Sequence, residues 1–418
     1  WMPTWNLSGA WNVHEESWFN KLQPALSNLT FKLSYSLTAD RGPSSVTNSR
    51  VVIMAENPWR PSAGDNESSL YIAQLANNEL TYEKKHELNF GIDAGFLNNR
   101  INFTFDIYSR RNYDLIGVIN TQGTGGEPRK YGNVAKMKSN GVEIALNTVN
   151  IKTKDFTWTT DLIYSHMHNE VTELNTLNNM YEYISGYGFT MPGYPQRSLF
   201  SIPFMGLNNE GLPTFLDQDG NVSVTGINMQ EYDPERLKFL KYEGPVDPTD
   251  VGSLGNVFRY KGVTLNLFIT YSFGNVVRLD PVFSSSYSDL TATPKEFKDR
   301  WVKPGDENFT NVPVIASKQQ LNNIAYLSTA YQAYNYSTER VAKGDFIHMK
   351  EISLGYEFPK SITQPLRLSN LSLKLMATNL FLIYADKKLN GQDPEFFNAG
   401  GVANPMPKQF TLTLKLKI

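Results

Sequence analysis

Residues 409–418, Gln-Phe-Thr-Leu-Thr-Leu-Lys-Leu-Lys-Ile, alternate polar and apolar side chains without a break. Phe410, Leu412, Leu414, Leu416 and Ile418 fall on one face, and Thr411, Thr413, Lys415 and Lys417 on the other. Successive strand side chains point to opposite faces, so this is a ribbon with one apolar and one wet side. The pattern recurs along most of the chain in segments longer than the usual soluble strand of about five or six residues. Repeated strands of roughly ten residues, each apolar on one side, are what crossing a bilayer with tilted strands demands.

The segments read as strands are 3–13, 29–40, 82–96, 100–111, 134–150, 156–169, 199–207, 212–216, 256–260, 263–273, 346–358, 371–383 and 409–418, about 13 in all. Residues 14–19 read as a helical turn, and Asn98-Asn99 as a tight hairpin, since Asn tolerates the left-handed backbone such turns need. Connections alternate in length. Short turns (98–99, 150–155, 208–211, 261–262) separate long loops (41–81, 113–133, 170–198, 217–255, 274–345, 385–408). A soluble sandwich rarely tolerates one unstructured loop above about 15 residues. An outer-membrane barrel has short periplasmic turns and long external loops. The fold class expected is therefore an all-β, transmembrane antiparallel barrel. Placing the short turns in the periplasm makes the last strand descend and leaves the C-terminus periplasmic. Thirteen is odd where single-chain bacterial barrels close with even numbers, so the chain reads as part of a larger barrel.

Composition agrees. Basic and acidic residues nearly cancel (39 against 41), which gives no hint of a nucleic-acid partner. There is no cysteine, excluding disulfides and thiolate metal sites, and no apolar run long enough for a spanning helix. The 22 tyrosines suit interfacial girdles and sugar-facing surfaces alike.

Six short patterns, in order along the chain, carry a resemblance. They are Leu80-Thr81-Tyr82-Glu83-Lys84; Phe96-Leu97-Asn98-Asn99-Arg100 with Phe105-Asp106-Ile107-Tyr108; Asn133 with Asn140-Gly141-Val142-Glu143; Gly206-Leu207 and Gly211-Leu212-Pro213 with Asp217-Gln218-Asp219-Gly220-Asn221; Phe258-Arg259-Tyr260-Lys261-Gly262-Val263; and Gly391-Gln392-Asp393-Pro394-Glu395. Together they resemble the C-terminal part of SusC-type TonB-dependent outer-membrane transporters of Bacteroidetes. Tyr82, where Trp is common, and the terminal Ile418, where an aromatic is common, depart from that pattern. The resemblance implies a barrel of 22 strands, of which these would be the tenth to twenty-second, with an N-terminal plug and a TonB box not expected within this chain. Trp1 in place of an initiator methionine fits the same expectation. It further implies import of oligomeric nutrients (glycans or peptides), a SusD-like surface lipoprotein over the loops, and energy from the TonB complex. The alternative is a SusC-like barrel serving as a structural component of a larger envelope assembly or secretion machine. A passive porin and a soluble carbohydrate-binding sandwich rank below both.

On the polar face Lys32, Asp106, Asp161, Thr264 and Lys415 would line the path. Tyr181, Tyr183, Tyr187, Tyr331, Tyr334 and Tyr336, with Asp393, are the candidates for loop contact with substrate, because Tyr combines a flat apolar face with a polar tip. Tyr326 belongs to the same group of rings. His166 and His168 share a face but lack an obvious third metal ligand. Asp217-x-Asp219-Gly220-Asn221 resembles the start of a calcium loop without its distal Glu, and suits a hairpin turn better. Gly123-Thr124-Gly125-Gly126 completes no phosphate-binding pattern and reads as a loop hinge. Residues 294–304, with Phe297 and Trp301 four apart, read as a short amphipathic helix packing a loop. No nucleophile arrangement or carboxylate pair supports an enzyme, and no cofactor or metal site is expected.

Overall fold

A computed structural model describes residues 2–42, 50–56, 69–124, 129–176, 178–186, 188–282, 295–397 and 406–417. Tyr187, Gly125, Gly126, Pro294 and Ile418 lie outside the described residues.

One antiparallel sheet of eleven strands forms the body: β1 (Trp5–Asn12), β2 (Leu26–Asp40), β3 (Glu83–Phe96), β4 (Ile101–Asn120), β5 (Arg129–Lys152), β6 (Phe156–Leu174), β7 (Asp250–Tyr260), β8 (Val263–Phe273), β9 (Phe346–Glu357), β10 (Asn370–Ala385) and β11 (Gln409–Lys417). Every strand pairs with its sequence neighbour, so the sheet is a simple meander. The expected 13 strands become eleven. Residues 199–207 and 212–216 are not wall strands: they form short pieces, Ser198–Ser201, Phe204–Leu207 and Pro213–Leu216, in separate small sheets. The physical reason is length. Four residues rise about 13 Å, far short of the 9–11 residues a membrane strand needs. Ser198–Ser201 is also buried on both faces, which suits the core of a folded loop. On the 22-strand expectation, the wall here would supply the last eleven strands.

Register shows what the wall contacts. Directly paired residues share a face, and one row reads Leu29, Ala94, Phe103, Leu146, Leu162, Leu254, Ile269, Met349, Phe381 across nine strands. The row beside it reads Trp11, Phe31, Ile92, Phe105, Ile144, Tyr164, Gly252, Tyr271, Ile347, Tyr384. Among the described residues no second layer covers this face. Leu7 is 73% exposed, Leu412 68% and Phe410 72%. Such a surface is stable only against hydrocarbon. Trp5, Tyr35, His86 and Tyr113 stack toward one margin of the apolar band, and Trp158, Phe258, Tyr356 and Phe358 toward the other. Amphipathic rings at both margins are the girdles of a membrane barrel.

At one end the strands join by tight turns. Leu97, Asn98 and Asn99 all carry positive φ near 53–59°, the left-handed backbone the hairpin requires. The 14–19 segment sits at this end as two 3-10 turns, Val13–Glu15 and Phe19–Leu22. At the other end β4 and β5 run on as a ribbon through much of the expected 113–133 loop. With 24 residues β5 is roughly 80 Å long, so it stands well clear of a hydrocarbon band about 25 Å tall.

Candidate functional site

The second face of the wall is predominantly polar. One row runs Lys32, Gly91, Asp106, Glu143, Ser165, and a second runs Asn102, Asn147, Asp161, Gly255. Thr264 and Lys415 lie on the same side. A cavity of about 780 Å³ lies against it, lined by Thr157, Arg259, Asn266, Ser353, Lys374 and Lys415 among others. Many of its charges are matched in place. Lys32 pairs with Asp93; Arg110 lies 3.1 Å and Lys85 2.9 Å from Glu87; Glu351 accepts from Asn266 at 3.1 Å and lies 3.6 Å from Lys374. A wall of paired charges presents many hydrogen-bonding groups with little unbalanced charge.

Above the wall, two of the long connections fold together. Met180, Ile184, Ile202, Leu212, Phe215 and Met229 from residues 175–249 share one buried core with Phe297, Leu327, Ala330 and Tyr334 from residues 274–345. Backbone bonds stitch them: Ile202 N–H to Tyr336 C=O at 3.1 Å, Thr338 N–H to Ile202 C=O at 3.0 Å. Two buried guanidiniums add to the seam. Arg278 donates to the carbonyls of Phe200 and Ser337, and Arg340 pairs with Glu296 and donates to Asp280 C=O at 2.7 Å. Burial pulls the Arg278 guanidinium down to about 10 even though Glu243 attracts its charge. The 294–304 segment resolves, over its described residues, into the 3-10 helix Lys295–Asp299, and Phe297 and Trp301 are buried in the loop layer.

The tyrosine candidates divide between core and margin. Tyr334 is fully enclosed, and Tyr331 is buried with its hydroxyl donating to Val314 C=O at 2.6 Å. These two rings, expected at the substrate, pack the loop core instead. Tyr181 is half-buried on the helix Met180–Ile184 and meets Tyr336 edge-on at 5.9 Å. Tyr183 packs on Phe189 at 4.5 Å, and burial raises its phenol pKa. Tyr336 is pushed up to about 12, by burial first and then by its bond with Tyr181. Tyr326 is 74% exposed. The sequence reading missed Tyr194 and Tyr242, which pair at 4.8 Å beside Phe200, because nothing in their spacing brings positions 48 residues apart together.

The remaining candidates are placed as follows. His166 Nδ1 lies 2.9 Å from Asp250 Oδ1 while His168 is exposed, so the pair does not converge on a common point. Asp217 Oδ1 accepts the N–H groups of Asp219 and Asn221, and Oδ2 accepts the Ser223 hydroxyl, which makes the segment a capped hairpin turn. Asp393 caps the turn Pro394–Phe396 by accepting from Glu395 N–H at 3.0 Å, and it faces His348 on β9.

The family profile described as TonB dependent receptor-like, beta-barrel matches residues 2–280. A TonB-dependent receptor of Formosa agariphila is 25% identical over 94% of this chain and 40% of its own length. The TonB-dependent receptor SusC of Bacteroides thetaiotaomicron is 25% identical over 99% of this chain and 39% of its own. The structure of the RagAB peptide transporter superposes with a TM-score of 0.75 at 22% identity, covering 99% of this chain and 43% of that one. The chain thus spans about two-fifths of the length of the curated relatives it matches.

Proposed function

The chain belongs to the TonB dependent receptor-like β-barrel family, and from that premise we propose that it forms the closing wall and outer loops of an outer-membrane nutrient importer. The observation that carries this reading is the register. Apolar rows continuous over nine or ten strands face one way, and a polar wall against a 780 Å³ cavity faces the other. A wall wet inside and apolar outside is built to pass a hydrated solute through lipid.

The cargo on this reading is an oligomeric nutrient, a glycan or a peptide, met by the half-buried rings Tyr181, Tyr183 and Tyr336 at the margin of the loop layer. Tyr187 completes that candidate set; Asp393, capping its own turn and facing His348, is turned into the loop instead. The loop layer, with its own core, is firm enough to seat a SusD-like surface lipoprotein. Energy would come from the TonB complex acting through a plug region outside this chain, with the remaining strands closing the barrel. The tight-turn end and the C-terminus would face the periplasm. Likeness to SusC supports this reading, and likeness to the fold of RagAB, a peptide transporter, supports the wall geometry.

The test is growth of the host, with the full-length gene deleted, on single oligomeric glycans and on peptides. Import predicts loss on one class, restored by the wild-type gene, with uptake that stops when the proton-motive force is dissipated. Growth unchanged on every oligomer, or uptake indifferent to the uncoupler, would overturn it.

A further inference from the structure

We propose that His348, Asp393 and Glu395 form a divalent transition-metal site, of the zinc class, that clasps the last external loop to the inner wall. His348 sits on the polar face of β9 and is only 4% exposed, with Nδ1 turned toward the loop that follows β10. From that loop Glu395 Oε2 comes within 3.3 Å of Nδ1 and Asp393 Oδ2 within 3.9 Å. One ligand atom from each of the three residues lies within 4.8 Å of the others. Tetrahedral zinc with bonds of about 2.0–2.1 Å sets its ligand atoms roughly 3.3 Å apart. The His–Glu separation already has that value, the His–Asp separation is about 0.6 Å longer, and the Asp–Glu pair lies within 4.8 Å, so the two loop carboxylates draw in on binding.

Two further features point to the same occupant. First, the strand is irregular on both sides of the histidine. The β9–β10 register shifts between Ile347 and His348 and again between Met349 and Glu351. Bulges re-aim side chains beside sites, and this one turns both Lys350 and Glu351 to the inner face. Second, the supporting bonds are in place. The Asp393 carboxylate is anchored through Oδ1 by Glu395 N–H, and Lys350 Nζ lies 2.8 Å from Glu395 Oε1 and 2.5 Å from Oε2, so a metal at Oε2 leaves the ammonium on Oε1 alone. Partners that orient ligands in this way are what a metal site needs around it. Histidine nitrogen with two carboxylate oxygens is a donor set for zinc-like ions rather than for calcium, which takes oxygen.

Sequence inspection did not find the site because its ligands are 45 residues apart along the chain. The site is independent of what the barrel transports.

The experiment uses untagged full-length protein, folded in detergent, stripped with chelator and titrated with zinc chloride. One zinc per chain is expected, with at least tenfold weaker binding in His348→Ala and in Glu395→Gln. X-ray absorption on the loaded wild type should show one imidazole nitrogen and carboxylate oxygens at about 2.0 Å. Heat-modifiable mobility on gels verifies that each variant is a folded barrel, and Glu395→Gln keeps the side-chain shape should His348→Ala fail. No zinc above the stripped background, or binding that neither variant weakens, overturns the proposal and leaves the cluster an ion-pair network.

Discussion

The Tyr108 ring covers Gly141 on the inner wall. The two are direct cross-strand partners on β4 and β5, and a Cβ added at Gly141 would stand 2.3 Å from the Tyr108 hydroxyl oxygen. Arg110 lies over the same ring at 3.9 Å and reaches Glu87 on β3, so a glycine, a ring, a guanidinium and a carboxylate are stacked across three strands. The glycine of Asn140-Gly141-Val142-Glu143 and the tyrosine of Asp106-Ile107-Tyr108, quoted above as separate patterns, are therefore two halves of one contact. Gly141→Ala should displace the ring and with it the Arg110–Glu87 pair. The expected cost is about 1–3 kcal/mol, as for overpacking in a tight interior. Urea unfolding of the detergent-folded protein measures it, and a Tyr108→Ala, Gly141→Ala double variant should recover part of the loss on the inner wall.

The loop layer should fail separately from the wall. Phe215 is fully buried in the shared core and contacts the Phe204 ring at 6.1 Å, so Phe215→Ala removes about 3–5 kcal/mol of packing there. No strand of the eleven-stranded sheet contributes to that core. Limited proteolysis should then cut within residues 175–249 and 274–345 while heat-modifiable mobility of the barrel persists. Simultaneous loss of both would show that wall and loops fold as one unit.

What could be read from sequence follows from which surfaces meet lipid. The segment 263–273 was expected as a strand and is one with the same bounds, Val263–Phe273, because hydrocarbon imposes an unbroken period of two. Lys32, Asp106 and Asp161 fell on the expected face for the same reason. Beyond the bilayer that constraint lapses. Tyr113 to Asn120 of β4 runs past the apolar band, so it read as loop. Leu199 and Phe200, adjacent between two serines, read as part of a wall strand, yet both faces are buried, and only tertiary packing decides this. The same holds for Tyr331 and Tyr334, whose helix turns them inward.

Acid should release the loop that follows β10. Burial disfavours the charged Asp386 carboxylate, but the N–H groups of Lys388 and Lys343 both donate to it, and the lysine charges add; the outcome is a pKa below the ordinary 3.8. A carboxylate lowered in the folded state contributes stability that is present above its unfolded value and is lost as pH falls through the folded one. Amide exchange at Lys343 and Lys388, corrected for intrinsic rates, should show protection at pH 6 and its loss near pH 3. Asp386→Asn should weaken that protection at pH 6. Equal protection of the wild type at both pH values would contradict the assignment.

Substituting arginine along a single strand tests which face meets hydrocarbon. Leu254 on β7 lies between Leu162 and Ile269 in the nine-strand apolar row. An arginine at the bilayer midplane of a barrel's outer face costs about 2–4 kcal/mol. Leu254→Arg should lose that much in unfolding from lipid vesicles. Thr159, on the neighbouring β6, pairs with Val149 and Val257 on the inner face, where water reaches. Thr159→Arg should therefore cost well under 1 kcal/mol, because a guanidinium there stays hydrated. Equal penalties in vesicles would mean that the apolar rows are covered by protein, and the transporter wall would go with them.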